Sequence, residues 1–453
     1  MPNKLFGTDG IRGIANGSLS CEMAMKIGAA GAYVLTSEVH SPRILIGMDT
    51  RKSGDMLCAA LTAGICSVGG DAAHVGVVPT PGLAYLVRLY GADAAVMISA
   101  SHNSMEYNGI KWFDGRGFKL SDALEDEIAR IVNEDTSLPR PTGREIGRVT
   151  HVRRAMDEYR EFLVATADTR LDGMRIVLDC ANGAASEIAR AVFTDLGAEV
   201  MSFSDEPDGY NINDRCGSTH PERMQQLVFE LGADIGLAFD GDADRLIATD
   251  ERGRIVDGDR ILGICAADMH ARGALKQDTL VITVMSNLGL KQRMKKAGVR
   301  VEETAVGDRY VLERMLEKGF NLGGEQSGHI IFTDHHTTGD GMLSAIQLMN
   351  ILKRSGRRMS ALAAEIPIYP QVLVNVRVAE EEKQDAMADP ELADAIRDTE
   401  KKLRDEGRVL VRASGTEPLI RIMLEGRNEE EISAHALALA HILEKNHEGK
   451  IKS

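Results

Sequence analysis

The chain has 453 residues, of which 43% are hydrophobic and 27% charged, and its 53 basic and 68 acidic side chains give a formal net charge of −15. This length exceeds what a single hydrophobic core supports, so several domains are predicted. The acidic balance argues against nucleic acid or an anionic membrane as the main partner, because both need a basic face. A phosphorylated substrate stays compatible with basic residues that cluster locally.

The sequence also indicates a cellular compartment. No apolar run approaches the ~20 residues that span a bilayer, and the first residues lack the hydrophobic segment of a secretory signal. The cysteines are scattered and form no C-x-x-C pair: Cys21, Cys58, Cys66, Cys180, Cys216 and Cys265. We therefore expect a cytoplasmic protein with reduced, mostly structural thiols.

Glycines are concentrated in residues 7–13, near the start of the chain. Their spacing differs from G-x-G-x-x-G, and neither a preceding strand nor a Walker lysine is present. A nucleotide site is therefore not expected there, and a flexible loop is the simpler interpretation.

Short apolar runs that end in polar or glycine-rich turns recur through the first three quarters of the chain, at 43–47, 94–98, 175–179, 233–239 and 279–284. Helical patterns lie between them, such as the apolar stripe of Met224, Leu227, Val228 and Leu231. This alternation predicts α/β units with functional groups at the carboxyl ends of the strands.

The last quarter of the chain has a different pattern. Residues 372–378 alternate like a half-buried strand, a charged helix follows around Leu392 to Leu403, and two more strands precede a closing helix. This βαββα order predicts an α+β domain. The expected domains are 1–151, 152–253 and 254–365, each α/β, and 366–453, which is α+β.

A serine-rich turn, 99–103, follows the apolar run that ends at Ile98. Ser101 is a candidate nucleophile, although a turn serine that caps a helix is the alternative, since the G-x-S-x-G elbow is missing. His102 is its neighbour in sequence, which does not by itself make it a base. Lys111 is a candidate acid, base or charge partner, and a solvated surface lysine is the alternative.

Three carboxylates alternate in Asp240, Asp242 and Asp244, and Arg245 follows them directly. Such a group needs a hard cation between its members, and oxygen-only ligands favour Mg²⁺, Ca²⁺ or Mn²⁺. An EF-hand is the first alternative, but arginine stands where its loop needs glycine, and a strand precedes instead of a helix. A solvated acidic turn is the second. The pattern favours a magnesium-type loop at a strand end.

Two further segments contain groups suited to a phosphosugar. In 323–329, glycines let the backbone approach a ligand, and Glu325 and Ser327 could bond sugar hydroxyls, although a tight turn is the alternative. In 412–416, two hydroxyls and a glycine lie beside Arg412, and Arg421 follows nearby. This set predicts a phosphate cradle, with a hairpin carrying an exposed arginine pair as the alternative.

Together and in this order, these segments resemble the α-D-phosphohexomutase superfamily over essentially the whole chain. Further matching segments are 6–13, 211–213, 216–219, 306–310 and Gln326. The resemblance implies an α/β fold of four domains around a central cleft, with three related α/β domains and a C-terminal α+β domain. It also implies that Ser101 carries a phosphoryl group and that Mg²⁺ is held by Asp240, Asp242, Asp244 and a phosphoserine oxygen.

The resemblance further assigns roles to residues around these two groups. Catalysis would involve Ser101, Lys111, Arg12 and His102. Substrate would be bound by Arg245, Glu325, Ser327, His329 and Arg309. The phosphate cradle would consist of Arg412, Ser414, Gly415, Thr416 and Arg421. One departure concerns Ser104, which stands where the family usually has proline and is a rival hydroxyl.

Within the superfamily, the chain most resembles members that convert glucosamine 6-phosphate to glucosamine 1-phosphate through a 1,6-bisphosphate, a step toward UDP-N-acetylglucosamine and cell-wall precursors. A phosphoglucomutase or phosphomannomutase is the nearest alternative, and a non-catalytic phosphosugar-binding protein is another. The resemblance leaves open a homodimer, and either an activating kinase or autophosphorylation as the source of the phosphate.

Overall fold

The computed structural model describes residues 5–7, 9–35, 42–414, 418–447 and 449–452. The chain divides into two compact units, one formed by Met1–Met285 with Met294–Glu365 and the other by Ser286–Arg293 with Ile366–Ser453. Among the described residues, no helix has both the length and the apolar character needed to cross a membrane.

The first sheet contains β1 (Ile11–Ile14), β2 (Arg43–Met48), β3 (Asp71–Val77), β4 (Ala94–Ile98), β5 (Tyr107–Asp114) and β6 (Val149–His151). Its helices are α1 (Cys21–Leu35), α2 (Ser53–Ser67), α3 (Thr80–Leu89) and α4 (Asp122–Asn133). The strand order is β1-β5-β4-β2-β3-β6, in which β4, β2, β3 and β6 are parallel. All of β4 is buried, as expected for a strand covered on both faces. The interpretation of 7–13 as a loop is wrong for its last residues, since β1 pairs with β5.

The second sheet contains β7 (Arg175–Asp179), β8 (Glu199–Phe203), β9 (Ile235–Phe239), β10 (Leu246–Asp250) and β11 (Ile255–Val256) in the order β11-β10-β9-β7-β8. Its helices are α5 (Ala155–Ala165), α6 (Ala189–Asp195) and α7 (Glu222–Leu231). The predicted stripe of α7 buries Met224 and Val228 against Val177 and Phe203. The helix ends at Gly232, whose φ of 60° is the left-handed conformation that glycine adopts without strain.

The third sheet contains β12 (Thr279–Thr283), β13 (Arg300–Thr304), β14 (Leu322–Gly324) and β15 (Ile330–Phe332) in the order β13-β12-β14-β15. Its helices are α8 (Gly258–Ala271), α9 (Leu288–Ala297), α10 (Asp308–Lys318), α11 (Gly341–Ser355) and α12 (Met359–Ala363). The first residues of α9 group with the C-terminal unit.

The fourth sheet contains β16 (Gln371–Arg377), β17 (Gly407–Ala413), β18 (Leu419–Gly426) and β19 (Lys450–Lys452), all antiparallel, in the order β17-β18-β16-β19. Its helices are α13 (Lys383–Met387), α14 (Pro390–Leu403) and α15 (Glu429–Asn446). The apolar face of α15 is buried in this core. The predicted classes, three α/β sheets followed by an α+β domain, are confirmed.

The three α/β sheets share one feature that positions the site. In each sheet, a strand of the parallel set is followed directly by an antiparallel partner: β4 by β5, β9 by β10, and β14 by β15. The connections are the serine loop (99–106), the aspartate loop (240–245) and the glutamate loop (325–329). Each chemically interesting segment of the first three quarters of the sequence is therefore a connection at the same topological point.

Candidate active site

The aspartate loop brings three buried carboxylates together at the end of β9. Ligand oxygens of Asp240, Asp242 and Asp244 lie within 4.8 Å of one another, and the three residues are at most 3% exposed. The strands β9 and β10 that flank them rule out the helix–loop–helix of an EF-hand. The burial also rules out a solvated acidic turn.

The electrostatics of this trio fit a hard divalent cation. Burial raises the pKa of the Asp240 carboxyl well above its ordinary value, and the charges of Asp244 and Asp242 raise it further. Asp242 Oδ1 and Asp244 Oδ1 are buried and accept no hydrogen bond from any described residue. Carboxylate oxygens left without donors at such close range are the ligand set that Mg²⁺ or Ca²⁺ prefers.

Ser101 reaches the trio from the serine loop. Its Oγ donates to Asp240 Oδ2 at 2.5 Å, across 139 residues of sequence, and the residue is fully buried. The two loops approach so closely that a Cβ at Gly241 would lie 2.6 Å from Ser101 O, which only glycine avoids. Ser104, the rival hydroxyl, is exposed. Of the two serines, only Ser101 is bonded to the trio.

His102 lies beside the serine, with its Nδ1 3.4 Å from Ser101 Oγ. Burial lowers the pKa of His102 to about 4, and the positive charges of Arg245 and Arg12 act in the same direction. The ring is therefore neutral at pH 7.

Lys111 projects from β5 into the same region and is only 2% exposed, so it is not a solvated surface lysine. Its Nζ lies 2.9 Å from both Asp242 Oδ2 and Asp9 Oδ2. Burial lowers the pKa of Lys111, but the two carboxylates outweigh that effect and raise it above its ordinary value. Lys111 is thus a fixed cation in this arrangement. Arg12 also pairs with Asp9, at 2.5 Å.

The glutamate loop contributes His329, whose Nδ1 lies 3.5 Å from Asp244 Oδ2 and whose Nε2 lies 3.5 Å from Asp308 Oδ2. Asp308 in turn pairs with Lys119, which also contacts Asp9 at 2.6 Å. The loops that follow β9 and β14 are therefore linked to the N-terminal segment through buried polar side chains.

Glu325 and Ser327 lie further out in the same loop. Glu325 is half-buried and accepts from Gly307 N at 3.2 Å, whereas Ser327 is exposed, with its Oγ 3.5 Å from Glu325 Oε2. Arg245 extends beside them, its Nε 3.8 Å from Asp244 Oδ1. The Nε atoms of Arg245 and Arg12 are buried without an acceptor in the described part of the chain. Donors of this kind beside a cation site suit an anionic ligand.

Arg309 is not brought to the aspartates. Its guanidinium binds Leu120 O at 2.8 Å, Glu125 Oε2 at 2.8 Å and the carboxylate of Asp122. The structure therefore places Arg309 between α10 and the start of α4.

The C-terminal sheet carries the predicted phosphate cradle. Arg412 and Arg421 are direct cross-strand partners on β17 and β18, and burial followed by the charge of Arg421 lowers the pKa of Arg412. Ser414 N donates to Leu419 O at 2.8 Å at the end of this pair. Gly415 and Thr416 lie outside the described residues. Two like charges placed directly opposite repel each other, and an anion between them would remove that cost.

Sequence reasoning missed several polar residues of this region: Asp9, Arg51, Thr80, Lys119 and Asp308. Thr80 Oγ1 donates to Asp242 Oδ2 at 2.6 Å from the first turn of α3, and Lys119 is buried between two carboxylates. The signal available for Thr80 was its place after an apolar run, where polar groups collect at the carboxyl ends of strands.

Family models and individual relatives match the sequence over nearly the whole chain. Models of the phosphoglucomutase/phosphomannomutase family match its alpha/beta/alpha domain I at residues 3–139, domain II at 157–253, domain III at 257–369 and its C-terminal domain at 373–442. A phosphoglucosamine mutase of Thermoanaerobacter sp. (strain X514) is 54% identical over 442 residues, which cover 98% of this chain and 99% of the relative. A phosphoglucosamine mutase of Clostridium acetobutylicum is 53% identical, with 98% and 99% coverage.

Solved structures are also similar. A phosphoglucomutase/phosphomannomutase family protein from Burkholderia thailandensis superposes with a TM-score of 0.83 at 25% identity, over 98% of this chain and 97% of the other. The N-acetylphosphoglucosamine mutase of Aspergillus fumigatus, in complex with GlcNAc-6P and magnesium, superposes with a TM-score of 0.69 over 97% and 95% of the two chains. At 18% identity, this second likeness concerns the fold alone.

Proposed function

The chain belongs to the phosphoglucomutase/phosphomannomutase family and is a hexosamine phosphate mutase of the isomerase class, and we propose that it interconverts glucosamine 6-phosphate and glucosamine 1-phosphate. Its product would supply the synthesis of UDP-N-acetylglucosamine and cell-wall precursors. The observation that carries the proposal is the 2.5 Å contact between Ser101 Oγ and Asp240 Oδ2 inside a buried aspartate trio.

The reaction begins with a phosphoryl group on Ser101. The C1 hydroxyl of glucosamine 6-phosphate attacks that phosphorus, so an O1–P bond forms as the Oγ–P bond breaks. One proton leaves the sugar hydroxyl and one joins Oγ. The 1,6-bisphosphate then turns over, and Ser101 Oγ takes the 6-phosphoryl group by the same exchange in reverse. Glucosamine 1-phosphate leaves, and the phosphoserine is restored.

Asp240, Asp242 and Asp244, with an oxygen of the phosphoserine, would hold Mg²⁺, which neutralises charge on the transferring phosphoryl group when bound. The carboxylate oxygens that lack donors support this assignment. Lys111 and Arg12 add fixed positive charge beside the trio, and His102, neutral at pH 7, has its Nδ1 3.4 Å from Ser101 Oγ.

The other assignments concern the bound sugar phosphate. Arg245 binds the phosphoserine. Glu325, Ser327 and His329 bind sugar hydroxyls that occupy equivalent positions before and after the 1,6-bisphosphate turns over. Arg309 binds the substrate only in a form of the protein in which it has left Asp122 and Glu125. The non-reacting phosphate binds at Arg412, Ser414, Gly415, Thr416 and Arg421.

The remaining parts of the proposal concern the whole chain. The domains are 1–151, 152–253, 254–365 and 366–453. The protein works in the cytoplasm and binds neither nucleic acid nor membrane. Ser101 receives its first phosphate from a kinase or by autophosphorylation.

The test is turnover of glucosamine, glucose and mannose 6-phosphates by wild type and by Ser101→Ala, followed by phosphorus NMR. Wild type should prefer the glucosamine compound, and Ser101→Ala should have no measurable turnover with its fold intact. Ser104→Ala is the matched control, because it removes an exposed hydroxyl three residues away. Peptide mapping should place any phosphate on Ser101.

Two results would contradict the proposal. Near-normal turnover in Ser101→Ala would reject the phosphoserine, and a preference for glucose or mannose 6-phosphate would make the chain a phosphoglucomutase or phosphomannomutase. Binding of phosphosugar without turnover, even with a bisphosphate primer, would instead indicate a non-catalytic binding protein.

A further inference from the structure

Arg51 is a buried arginine that the sequence analysis did not single out. It lies in the turn between β2 and α2, and its side chain is 0% exposed. Its nearest carboxylate is Asp49, whose Oδ2 accepts from Arg51 Nε at 2.9 Å and from Ser99 Oγ at 2.6 Å. Asp49 therefore holds both Arg51 and the first residue of the serine loop.

The other four N–H groups of the guanidinium donate to carbonyls of one short stretch of backbone. Arg51 Nη2 donates to Ser101 O at 2.9 Å and to Asn103 O at 2.8 Å. Arg51 Nη1 donates to Tyr107 O at 3.1 Å and also to Ser104 O. A guanidinium has five N–H donors. All five are used here, and four of them bind carbonyls in or beside the serine loop.

The conformation held in this way is one that serine rarely adopts. Ser101 has a φ of 52°, in the left-handed region, where a residue with a Cβ is strained. Asn213 supports the same two carbonyls, since its Nδ2 donates to Ser101 O at 2.9 Å and to Asn103 O at 3.0 Å. Ser101 N is held as well, by Ser99 Oγ at 2.9 Å. A strained loop persists only where its surroundings over-determine it.

We propose that Arg51 is the positioning residue that holds Ser101 in this left-handed conformation and so keeps its Oγ at the aspartate trio. The part of the proposal that concerns turnover rests on the proposed function; the part that concerns the loop does not. A ~1 Å displacement of a reacting group costs on the order of 100-fold in rate, so a loosened loop would lower kcat while leaving distant substrate contacts unchanged.

Arg51→Lys tests this, because an ammonium group has three donors and lacks the planar fork that reaches four carbonyls at once. Asn213→Ala is the milder second variant, which removes two bonds to the same carbonyls and keeps the test available if Arg51→Lys does not fold. Tyr159→Phe is the control for general destabilisation, since it deletes a buried hydrogen bond to Asp340 Oδ2 away from the loop.

The first readout is amide hydrogen exchange of residues 99–107 in metal-free protein without substrate. We expect exchange at least about tenfold faster in both variants, and unchanged in Tyr159→Phe. The second readout separates kcat from KM for glucosamine 6-phosphate. We expect kcat to fall about 100-fold in Arg51→Lys and about tenfold in Asn213→Ala, with KM within about threefold of wild type.

Wild-type exchange in both variants would overturn the proposal, as would faster exchange with unchanged kcat. The same loss of kcat in Tyr159→Phe would also overturn it, because the effect would then follow from destabilisation alone. Failure of the proposed function would look different from failure of this proposal. In that case Ser101→Ala would keep its turnover, whatever the rate of amide hydrogen exchange in the serine loop.

Discussion

Lys119 Nζ lies 2.6 Å from Asp9 Oδ1, and this ion pair belongs to a largely buried ring of carboxylates and nitrogen groups. The ring runs from Asp242 through Lys111, Asp9, Lys119, Asp308 and His329 to Asp244. The aspartate trio completes the ring, since Asp242 and Asp244 both belong to it. Asp9 has further cationic partners in Lys111 and Arg12, whereas Lys119 is the closest cation of Asp308, so the loss of Lys119 leaves Asp308 poorly compensated.

Lys119→Met is expected to lower the free energy of unfolding by up to about 3–5 kcal/mol, because Asp308 would lose its closest cation in a largely buried position. Urea unfolding of metal-free protein measures this. Lys276→Met is the matched control: the pair of Lys276 with Asp334 is about half exposed, so its loss should cost at most about 1 kcal/mol. The double variant Lys119→Met with Asp308→Asn should regain part of the loss. Equal effects of Lys119→Met and Lys276→Met would show that the ring does not stabilise the fold.

Divalent cation binding is expected to depend on the aspartate trio. Mn²⁺ should bind wild type and lose its free-ion EPR signal, and Mg²⁺ at about 100 times its Kd should raise the free energy of unfolding by about 2.7 kcal/mol. Asp242→Ala should abolish both effects, since it removes one of the three clustered carboxylates. Glu127→Gln, an exposed carboxylate paired with Arg130, should change neither. Undiminished Mn²⁺ binding by Asp242→Ala would place the cation elsewhere.

Much of this arrangement could be predicted from local sequence. The aspartate, serine and glutamate loops were recognisable because each follows a short apolar run, and polar residues at strand ends indicate function in α/β folds. The prediction of a closing helix and of strands around Arg412 was also correct in the type of element. What local patterns could not give is which loops meet, since the contact of Ser101 with Asp240 spans 139 residues.

There are physical reasons why the sequence did not indicate some residues of the site and why one predicted residue lies elsewhere. Lys119 and Arg51 lie in segments with no distinctive spacing, and only tertiary contacts bury them. Arg309 follows Asp308 in α10, and consecutive residues of a helix do not share a face. Asp308 therefore joins the buried ring, whereas Arg309 points to Glu125 and Leu120 O.

His336 should make the stability of the fold pH-dependent. Burial lowers its pKa from 6.5 to about 3, helped by the charge of Arg88, while a 3.0 Å bond to Pro81 O acts against the shift. Between these two pH values the unfolded chain binds a proton that the folded chain does not. The contribution of the neutral His336 ring to the free energy of unfolding is therefore complete above pH 6.5 and is lost as the pH falls toward 3.

The measurement is urea unfolding of wild type and His336→Gln from pH 7 to pH 4. Below the ordinary histidine pKa, the advantage of wild type over the variant should shrink by about 1.4 kcal/mol per pH unit. His220→Gln, at an exposed position, is the control and should run parallel to wild type. A constant difference between wild type and His336→Gln at every pH would contradict the neutral buried ring.

Arg421 should contribute to binding of the substrate phosphate. It stands directly across from Arg412, so the two guanidinium groups are placed to bind one anion together. Under the proposed function, Arg421→Met removes a donor for the substrate phosphate. KM for glucosamine 6-phosphate should therefore rise at least about tenfold, since a hydrogen bond to a charged group contributes roughly 1.5–3 kcal/mol.

Arg377→Met is the matched control, because Arg377 is an exposed arginine on β16 of the same sheet, where it pairs with Leu419. It should leave KM unchanged. Inorganic phosphate, used as a competitive inhibitor, should bind more weakly to Arg421→Met and equally to Arg377→Met and wild type. Normal KM and normal phosphate inhibition in Arg421→Met would show that the arginine pair is structural, because the loss of a phosphate-binding arginine should weaken ligand binding.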